Sequence, residues 1–333
     1  MTQHRLRQMP TRRTFVRAVA AGVAFPATLL RAAETFPSKP LRIIVPFAPG
    51  GSVDISARVL ATPLSEELGQ SVVIDNRVGA GGRIGASAVA KSAADGYTLL
   101  AGSSGSLTAM EAVAKSMPYH VLQNFVPLTL INITPMAIVA GRGSTAKDLP
   151  ELIASAKANP GKIGIGSAGL GSSNHLAIEL LQAVSGATFL HVPYKGSGQA
   201  LTDLMGGQIP IMVDQIASSL GYVKQGQLRV LAVMSDKRSP FLPDVPCTAE
   251  LGLRGVEAAS FTGILAPMGL PEPVRARLEA AIIKVSSRPE VVQRFTDLGA
   301  EPRSLGTSAF SAFLQSDLKK WQEVAAKAQI SIE

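Results

Sequence analysis

Apolar and polar positions along the chain fall into short apolar runs separated by longer stretches of helical period. The runs LRIIVPF (41–47), SVVIDN (71–76), YTLLAGS (97–103), IGIGS (163–167), TFLHVPY (188–194), IPIMVD (209–214) and LRVLAVMS (228–235) are rich in β-branched residues, which suit a pleated, half-buried surface. Between them lie amphipathic stretches. Residues 52–68 read as one helix, and within 173–184 Leu176, Leu180 and Val184 recur at helical spacing with Ala177 and Leu181 beside them. Strands alternating with helices predict an α/β fold whose sheets are mainly parallel and flanked by helices.

Two apolar runs break the alternation. FVPLTLINITPMAIVAG (125–141), interrupted by Pro135, and ASFTGILAP (259–267) read as strands on which the chain crosses between two lobes. The expected division is 34–137 plus 258–333 for lobe 1 and 138–257 for lobe 2, with helices over 272–287, 289–298 and 307–328 returning to lobe 1. Each lobe then contains a strand, a glycine- and serine-rich loop and a helix: PFAPGGSVDI in one, GSAGLGSSNHLA in the other. A strand that turns through glycines into a helix presents unpaired N–H groups at the positive end of the helix dipole. Ser52 and Ser172 stand where N-caps are expected. The loops are either turns and caps alone or two halves of an anion cradle facing across a cleft, and their recurrence favours a ligand.

Charge alters the list of partners. The formal net charge is +8, but residues 1–33 hold Arg5, Arg7, Arg12, Arg13, Arg17 and Arg31 and no acid, so the remainder carries 8 − 6, or +2. TRRTFVR (11–17), an alanine-rich run over 18–30 and the small residues Ala32 and Ala33 read as a twin-arginine export signal removed near residue 33. The run is too short for a permanent span, which needs ~20 apolar residues. The basic balance therefore gives no reason to expect a nucleic-acid partner. With Cys247 as the one cysteine, an intramolecular disulfide is excluded even in an oxidising compartment.

Several catalytic motifs fail on context. GIGSAG (164–169) fits G-x-G-x-x-G and follows a strand, but the next strand supplies no acid for a ribose hydroxyl. No G-x-x-x-x-G-K-[ST] is present, and in AGSSGSLT (101–108) Ser106 stands where a nucleophile elbow needs its second glycine. His120, His175, His191 and Cys247 lack metal-ligand spacing. The expectation is no cofactor, no metal and no catalytic residue. Four groups near the loops remain open. His175 either is a satisfied polar residue or reaches the ligand. Asp54 either complements the helix dipole or meets an ammonium or hydroxyl group. Lys195 offsets ligand charge or sits in solvent, and Asp214 is a strand-terminal site acid or an N-cap of the following helix.

The segments FPSKPLRIIVPFAPGGSVDISARVLA, LGQSVVIDNRVGAGGRIGASAVAKSAADGYTLLAGSSG, NFVPLTLI, GSAGLGSSNHLAIELL and HVPYKGSGQALTDLMGGQIPIMVDQ resemble, in the same order, the Bug family of periplasmic solute receptors of tripartite tricarboxylate transporters. The resemblance covers essentially the whole chain after the export segment. It implies a two-lobed, type II (Venus-flytrap) periplasmic binding protein, monomeric and without catalysis, that captures a small mono-, di- or tricarboxylate for membrane permease subunits. In that family two equivalent loops hold a ligand carboxylate through amides, hydroxyls and ordered waters. Carried onto this sequence, Phe47, Ala48, Gly51, Ser52 and Asp54 form the first loop, and Ser167, Gly169, Ser172, Ser173 and His175 the second. Ser103, Lys195, Gly196 and Asp214 flank the cleft. The twin-arginine pattern departs from the general secretory signal that most relatives resemble. A ligand sensor for a membrane kinase, or an exported enzyme on the same scaffold, stands as the alternative.

Overall fold

The chain continues from each short apolar run into a helix because glycine, proline and polar residues punctuate the sequence between them. The computed structural model describes residues 36–328 and 330–332, and the export signal expected at 1–33 lies outside them. In chain order the elements are β1 (Leu41–Val45), α1 (Ser52–Leu68), β2 (Val72–Asn76), α2 (Arg83–Ala90), β3 (Thr98–Ser103), α3 (Thr108–Val113), α4 (Val121–Asn124) and β4 (Phe125–Ala140). There follow α5 (Leu149–Ala158), β5 (Gly164–Ser167), α6 (Ser173–Ser185), β6 (Leu190–Pro193), α7 (Ser197–Met205), β7 (Ile211–Gln215), α8 (Ile216–Lys224) and β8 (Arg229–Val233). The chain ends with β9 (Ala259–Pro267), α9 (Glu272–Ser286), α10 (Pro289–Asp297), β10 (Glu301–Gly306) and α11 (Thr307–Ala328).

The strands lie in the order β2-β1-β3-β9-β4-β7-β5-β6, with β10 and β8 also paired to β4. β1 is parallel to β2 and β3, and β5 is parallel to β6 and β7. Where the chain crosses, the expected parallel pattern gives way. β9 runs antiparallel to β3 and β4, and β7, β8 and β10 run antiparallel to β4, because the crossing strands traverse the sheet against the direction of their neighbours.

The pivot of this arrangement is β4. Its residues from Phe125 to Pro135 pair with β9, whereas Met136 to Ala140 pair with β7 and β8. The change falls at Pro135, which has no N–H to give to a ladder. Immediately after it, the Met136 amide donates to Ala258 O at 3.0 Å and the Ala258 amide to Met234 O at 2.9 Å, drawing both crossing segments together.

Apolar periodicity explains the layers. On α1, Val53, Ala57, Leu60, Leu64 and Leu68 fall on one face and join Ile43, Leu99, Ile264 and residues of α9 and α10 in one core; burying a leucine such as Leu60 contributes about 2 kcal/mol. The helix stops at Gly69, whose φ of +66° is the left-handed C-terminal turn. The opposite face of the sheet packs Leu100, Leu130 and Phe261 against Phe310 and Leu314 of α11. Beyond the pivot, Ile138, Ile165, Ile178 and Val213 form a second core, and Val139, Leu201, Met212 and Leu220 a third. The C-terminal stretch bridges both sides: Trp321, Ala325 and Ile332 pack with Val113 of α3 and Leu176 of α6.

Candidate ligand cleft

The first loop, residues 46–51, is held by a carboxylate rather than by its glycines alone. Asp54, in the first turn of α1 and buried, accepts from the Gly50 amide at 3.0 Å, Asn76 Nδ2 at 2.9 Å and Arg58 Nε at 2.9 Å. Asn76, at the end of β2, also donates to Phe47 O at 2.9 Å. Gly50 adopts φ +83° in this turn, a conformation that a side chain would strain. Burial raises the Asp54 carboxyl, but hydrogen bonds from Arg58, Gly50 and Asn76 and the guanidinium charge outweigh it and hold the group below the ordinary aspartate value. The N-cap of α1 is Gly51, with no side-chain cap bond. Ser52 is therefore not the cap expected from sequence: it is the first helical residue, and its hydroxyl has no partner among the described residues.

The second loop spends its side chains on itself. Ser172 does cap α6, accepting from the His175 amide at 3.3 Å and donating to Gly169 O at 2.7 Å. Ser167 Oγ accepts from the Gly169 amide at 3.1 Å and meets His191 Nε2 at 2.7 Å. His175 Nδ1 accepts from the Gly171 amide at 3.2 Å, so its ring proton lies on Nε2, 3.4 Å from Glu179 Oε1. The two imidazoles stack with centroids 4.0 Å apart. Burial, followed by the neighbouring His175, pushes His191 down to about 4, while the hydrogen bond from His175 leads the effects that hold Glu179 below its ordinary value.

The two halves touch through backbone. The Ala48 amide donates to Lys195 O at 3.1 Å, and Gly196 packs so tightly that a β-carbon would stand 2.8 Å from Ala48 N. On the other side of the cleft, a β-carbon on Gly105 would stand 2.6 Å from Ser173 N. Between these seams lies a cleft lined by Phe47, Gly51, Ser52 and Val53 of the first loop and α1, and by Ser103 at the end of β3. Ala168, Ser173, Asn174, Ser197 and Gln215 line the other wall. The space open to the centre of a water-sized sphere is about 10 Å³, room for about one water. An organic ligand needs more room than this, so its entry requires the walls to separate.

Helices α1, α6 and α7 all open onto this cleft, through Ser52 and Val53, Ser173 and Asn174, and Ser197. Each N-terminus carries about half a positive charge, so three supply roughly +1.5 without any lysine or arginine in the lining. Of the residues expected to form a site, Phe47, Gly51, Ser52, Ser103 and Ser173 line the cleft. Ala48 and Gly196 form the seam beside it, and Asp54, Ser167, Gly169, Ser172 and His175 build the two loops from behind. Lys195 is exposed outside the lining, contributing its carbonyl to the seam.

Asp214 neither lines the cleft nor caps α8, whose N-cap is Gln215. It is fully buried beneath the cleft wall and accepts from Ser197 Oγ at 2.7 Å and Ser218 Oγ at 2.6 Å. Burial drives its pKa up to about 6, with the Ser218 and Ser197 hydroxyls pulling against that rise. Val53, Ala168, Asn174, Ser197 and Gln215 escaped the sequence reading. The available signal was positional, since Asn174 and Ser197 occupy first-turn positions after the glycine-rich loops. No group of three or more His, Cys, Asp or Glu among the described residues is placed to hold a metal ion.

Residues 56–330 match the profile of the family described as tripartite tricarboxylate transporter family receptor. Protein BugT of Bordetella pertussis is 39% identical over 305 residues, covering 91% of this chain and 92% of BugT. Among solved structures, MatC from Rhodopseudomonas palustris with bound malate superposes with a TM-score of 0.84 at 32% identity, over 87% of this chain and 99% of MatC. A second R. palustris protein, with adipate, gives 0.84 at 33% identity over 89% and 99% of the respective chains.

Proposed function

Since the chain belongs to the tripartite tricarboxylate transporter receptor family, we propose that it captures a small carboxylate in the cleft between its lobes and releases it to the permease subunits of such a transporter. The observation that carries this reading is the convergence of α1, α6 and α7 on one cleft with no cationic side chain in its lining. Three helix N-termini offer a carboxylate fixed N–H donors and about +1.5 of partial charge, yet none of the desolvation cost of a buried lysine. The malate and adipate held by the two R. palustris proteins belong to the ligand class this arrangement suits.

Lobe boundaries at 137/138 and 257/258 are part of the proposal, supported by the change of partners along β4 and the Met136–Ala258 hydrogen bond. The chain acts as a monomer in the periplasm after loss of residues 1–33; no helix among the described residues is long and apolar enough to cross a membrane.

The protein binds without catalysis. Among the described residues, the serine–histidine side-chain pair near the cleft, Ser167 to His191, lies outside the lining. The imidazole is pushed down to about 4, too weak a base for general-base work near neutrality. The test is Gly51→Val. The backbone there, φ −83° and ψ 165°, accepts any residue, but the added isopropyl group projects from a lining position. Carboxylate affinity should fall at least tenfold, ~1.4 kcal/mol, with little change in melting temperature; unchanged affinity contradicts the site.

A further inference from the structure

We infer that the cleft selects carboxylates that also carry a hydrogen-bond donor, a hydroxyl or ammonium group beside the carboxylate, and that Asp214 imposes this choice without touching the ligand. The inference rests on the carboxylate reading above and concerns what else the bound acid must carry.

The argument is a count of protons. Ser197 has one hydroxyl proton and gives it to Asp214 Oδ1 at 2.7 Å. Asn174 has two amide protons; Nδ2 donates to Val213 O at 2.9 Å and to Asp214 Oδ1 at 3.4 Å. Both of these partners are acceptors, which fixes the amide orientation. Gln215 turns its Nε2 toward Ser173 Oγ at 3.3 Å. What Ser197 and Asn174 have left is acceptor capacity alone, lone pairs on Ser197 Oγ and Asn174 Oδ1, whereas Gln215 keeps one amide proton and Ser173, which accepts the other, keeps its hydroxyl proton. Among the described residues no donor meets Asn174 Oδ1, and that oxygen is not among the fully buried unpartnered atoms.

A ligand carrying nothing but carboxylates fits half of this cleft. Its oxygens take the N–H groups of the helix N-termini, but at Asn174 on α6 and Ser197 on α7 they meet acceptors as like against like. A hydroxyl or ammonium group on a neighbouring carbon meets those acceptors instead. A site built to hydrogen-bond a substrate donor discriminates strongly against the analogue lacking it, because its buried polar atoms are then left unpaired. Asp214 is a positioning residue here. Its carboxylate draws the Ser197 and Asn174 protons away from the cleft and so sets the polarity of that wall.

The test is calorimetric titration of the purified chain at pH 8 with two matched series: succinate, malate and aspartate; propionate, lactate and alanine. In at least one series the hydroxy or amino acid should bind tenfold or more tightly than the unsubstituted acid, and the comparison of malate with aspartate, or lactate with alanine, tells hydroxyl from ammonium. In Asp214→Asn the amide can donate to Ser197, whose own proton is freed for the cleft. The ratio should then collapse toward one while the unsubstituted acid stays within about threefold of wild type. A purely structural loss would weaken all ligands together and leave the ratio standing, which would overturn the role of Asp214. If Asp214→Asn does not fold, Ser197→Ala removes the acceptor itself and should bring the affinity ratio of substituted to unsubstituted acid toward one. Binding of unsubstituted acids as tightly as the substituted ones overturns this inference alone; binding of none of the six overturns the carboxylate reading and this inference with it.

Discussion

The α-carbon of Gly198 in α7 lies so close to the carbonyl oxygen of Pro49 in the first loop that a β-carbon at position 198 would overlap that oxygen. These two residues come from opposite walls of the cleft, and the space between them exists only for hydrogen. Shutting the cleft therefore depends on a glycine whose own helix has no need of one. Gly198→Ala should be neutral or slightly favourable for α7, since alanine is the better helix former by about 1 kcal/mol, yet should hold the walls apart. The expected outcome is a carboxylate affinity at least tenfold weaker with an unchanged ligand-free melting temperature. Equal affinity for the variant would show that the 198–49 seam plays no part in closure.

Asp54 organises the first loop through three donors, and none of its bonds points into the cleft. Asp54→Ala leaves the Gly50 amide and Asn76 Nδ2 without their acceptor, a loss of about 1–3 kcal/mol. Chemical denaturation should report that loss, and titration should report weaker binding although no ligand contact has been removed. Arg58→Ala should do far less, because that guanidinium is half exposed and such pairs contribute at most about 1 kcal/mol.

Ser172→Ala separates capping from contact. The hydroxyl is committed to the His175 amide and Gly169 O, so its removal should lower stability by about 1 kcal/mol. Affinity should change much less than in Gly51→Val. A binding loss without a stability loss would place the Ser172 hydroxyl on the ligand instead.

Two titrating groups, Asp214 fully buried and His191 half-buried, give opposite pH signatures. Asp214 titrates at about 6 when folded, against 3.8 for the free side chain, so the native state binds the extra proton and this group favours folding as pH falls from 6 toward 4. As pH rises through 6 that contribution is lost, roughly 3 kcal/mol. His191 titrates at about 4, below its ordinary 6.5; here the unfolded chain binds the extra proton, and stability present above pH 6.5 is lost as pH falls toward 4. Melting curves between pH 4 and 8 should show Asp214→Asn without the loss on raising the pH, and His191→Gln without the loss on lowering it. A variant with the wild-type slope would remove its residue from the titration.

Elements with strong periodicity were legible. The helix read at 52–68 is α1, the apolar runs contain β1 through β9 except for Gln215 at the end of β7, and the two long crossings are β4 and β9. β10 went unread because EPRSLG has no apolar run to mark it; its position comes from pairing to β4. At the site, the glycine loops and first-turn serines were visible as local pattern, but the distinction between Ser173 in the cleft and Ser172 behind it depends on which face of a helix start looks inward. Asp54 illustrates a further limit. Dipole complement and ligand contact were the two readings, whereas its carboxylate fastens a loop to Asn76, distant in sequence and adjacent only after β2 pairs with β1. Asn174, Ser197 and Gln215 converge from three separate elements, a juxtaposition no local spacing encodes.

The most direct measurement is calorimetric titration of the purified chain with small mono-, di- and tricarboxylates, paired with scattering to follow the separation of the lobes. Saturable one-to-one binding of a carboxylate at micromolar affinity or better, with loss of both binding and compaction in Gly198→Ala, is the expected result. Absence of binding across the series, or binding that Gly51→Val and Gly198→Ala leave intact, would contradict the assignment of this cleft as the receptor site.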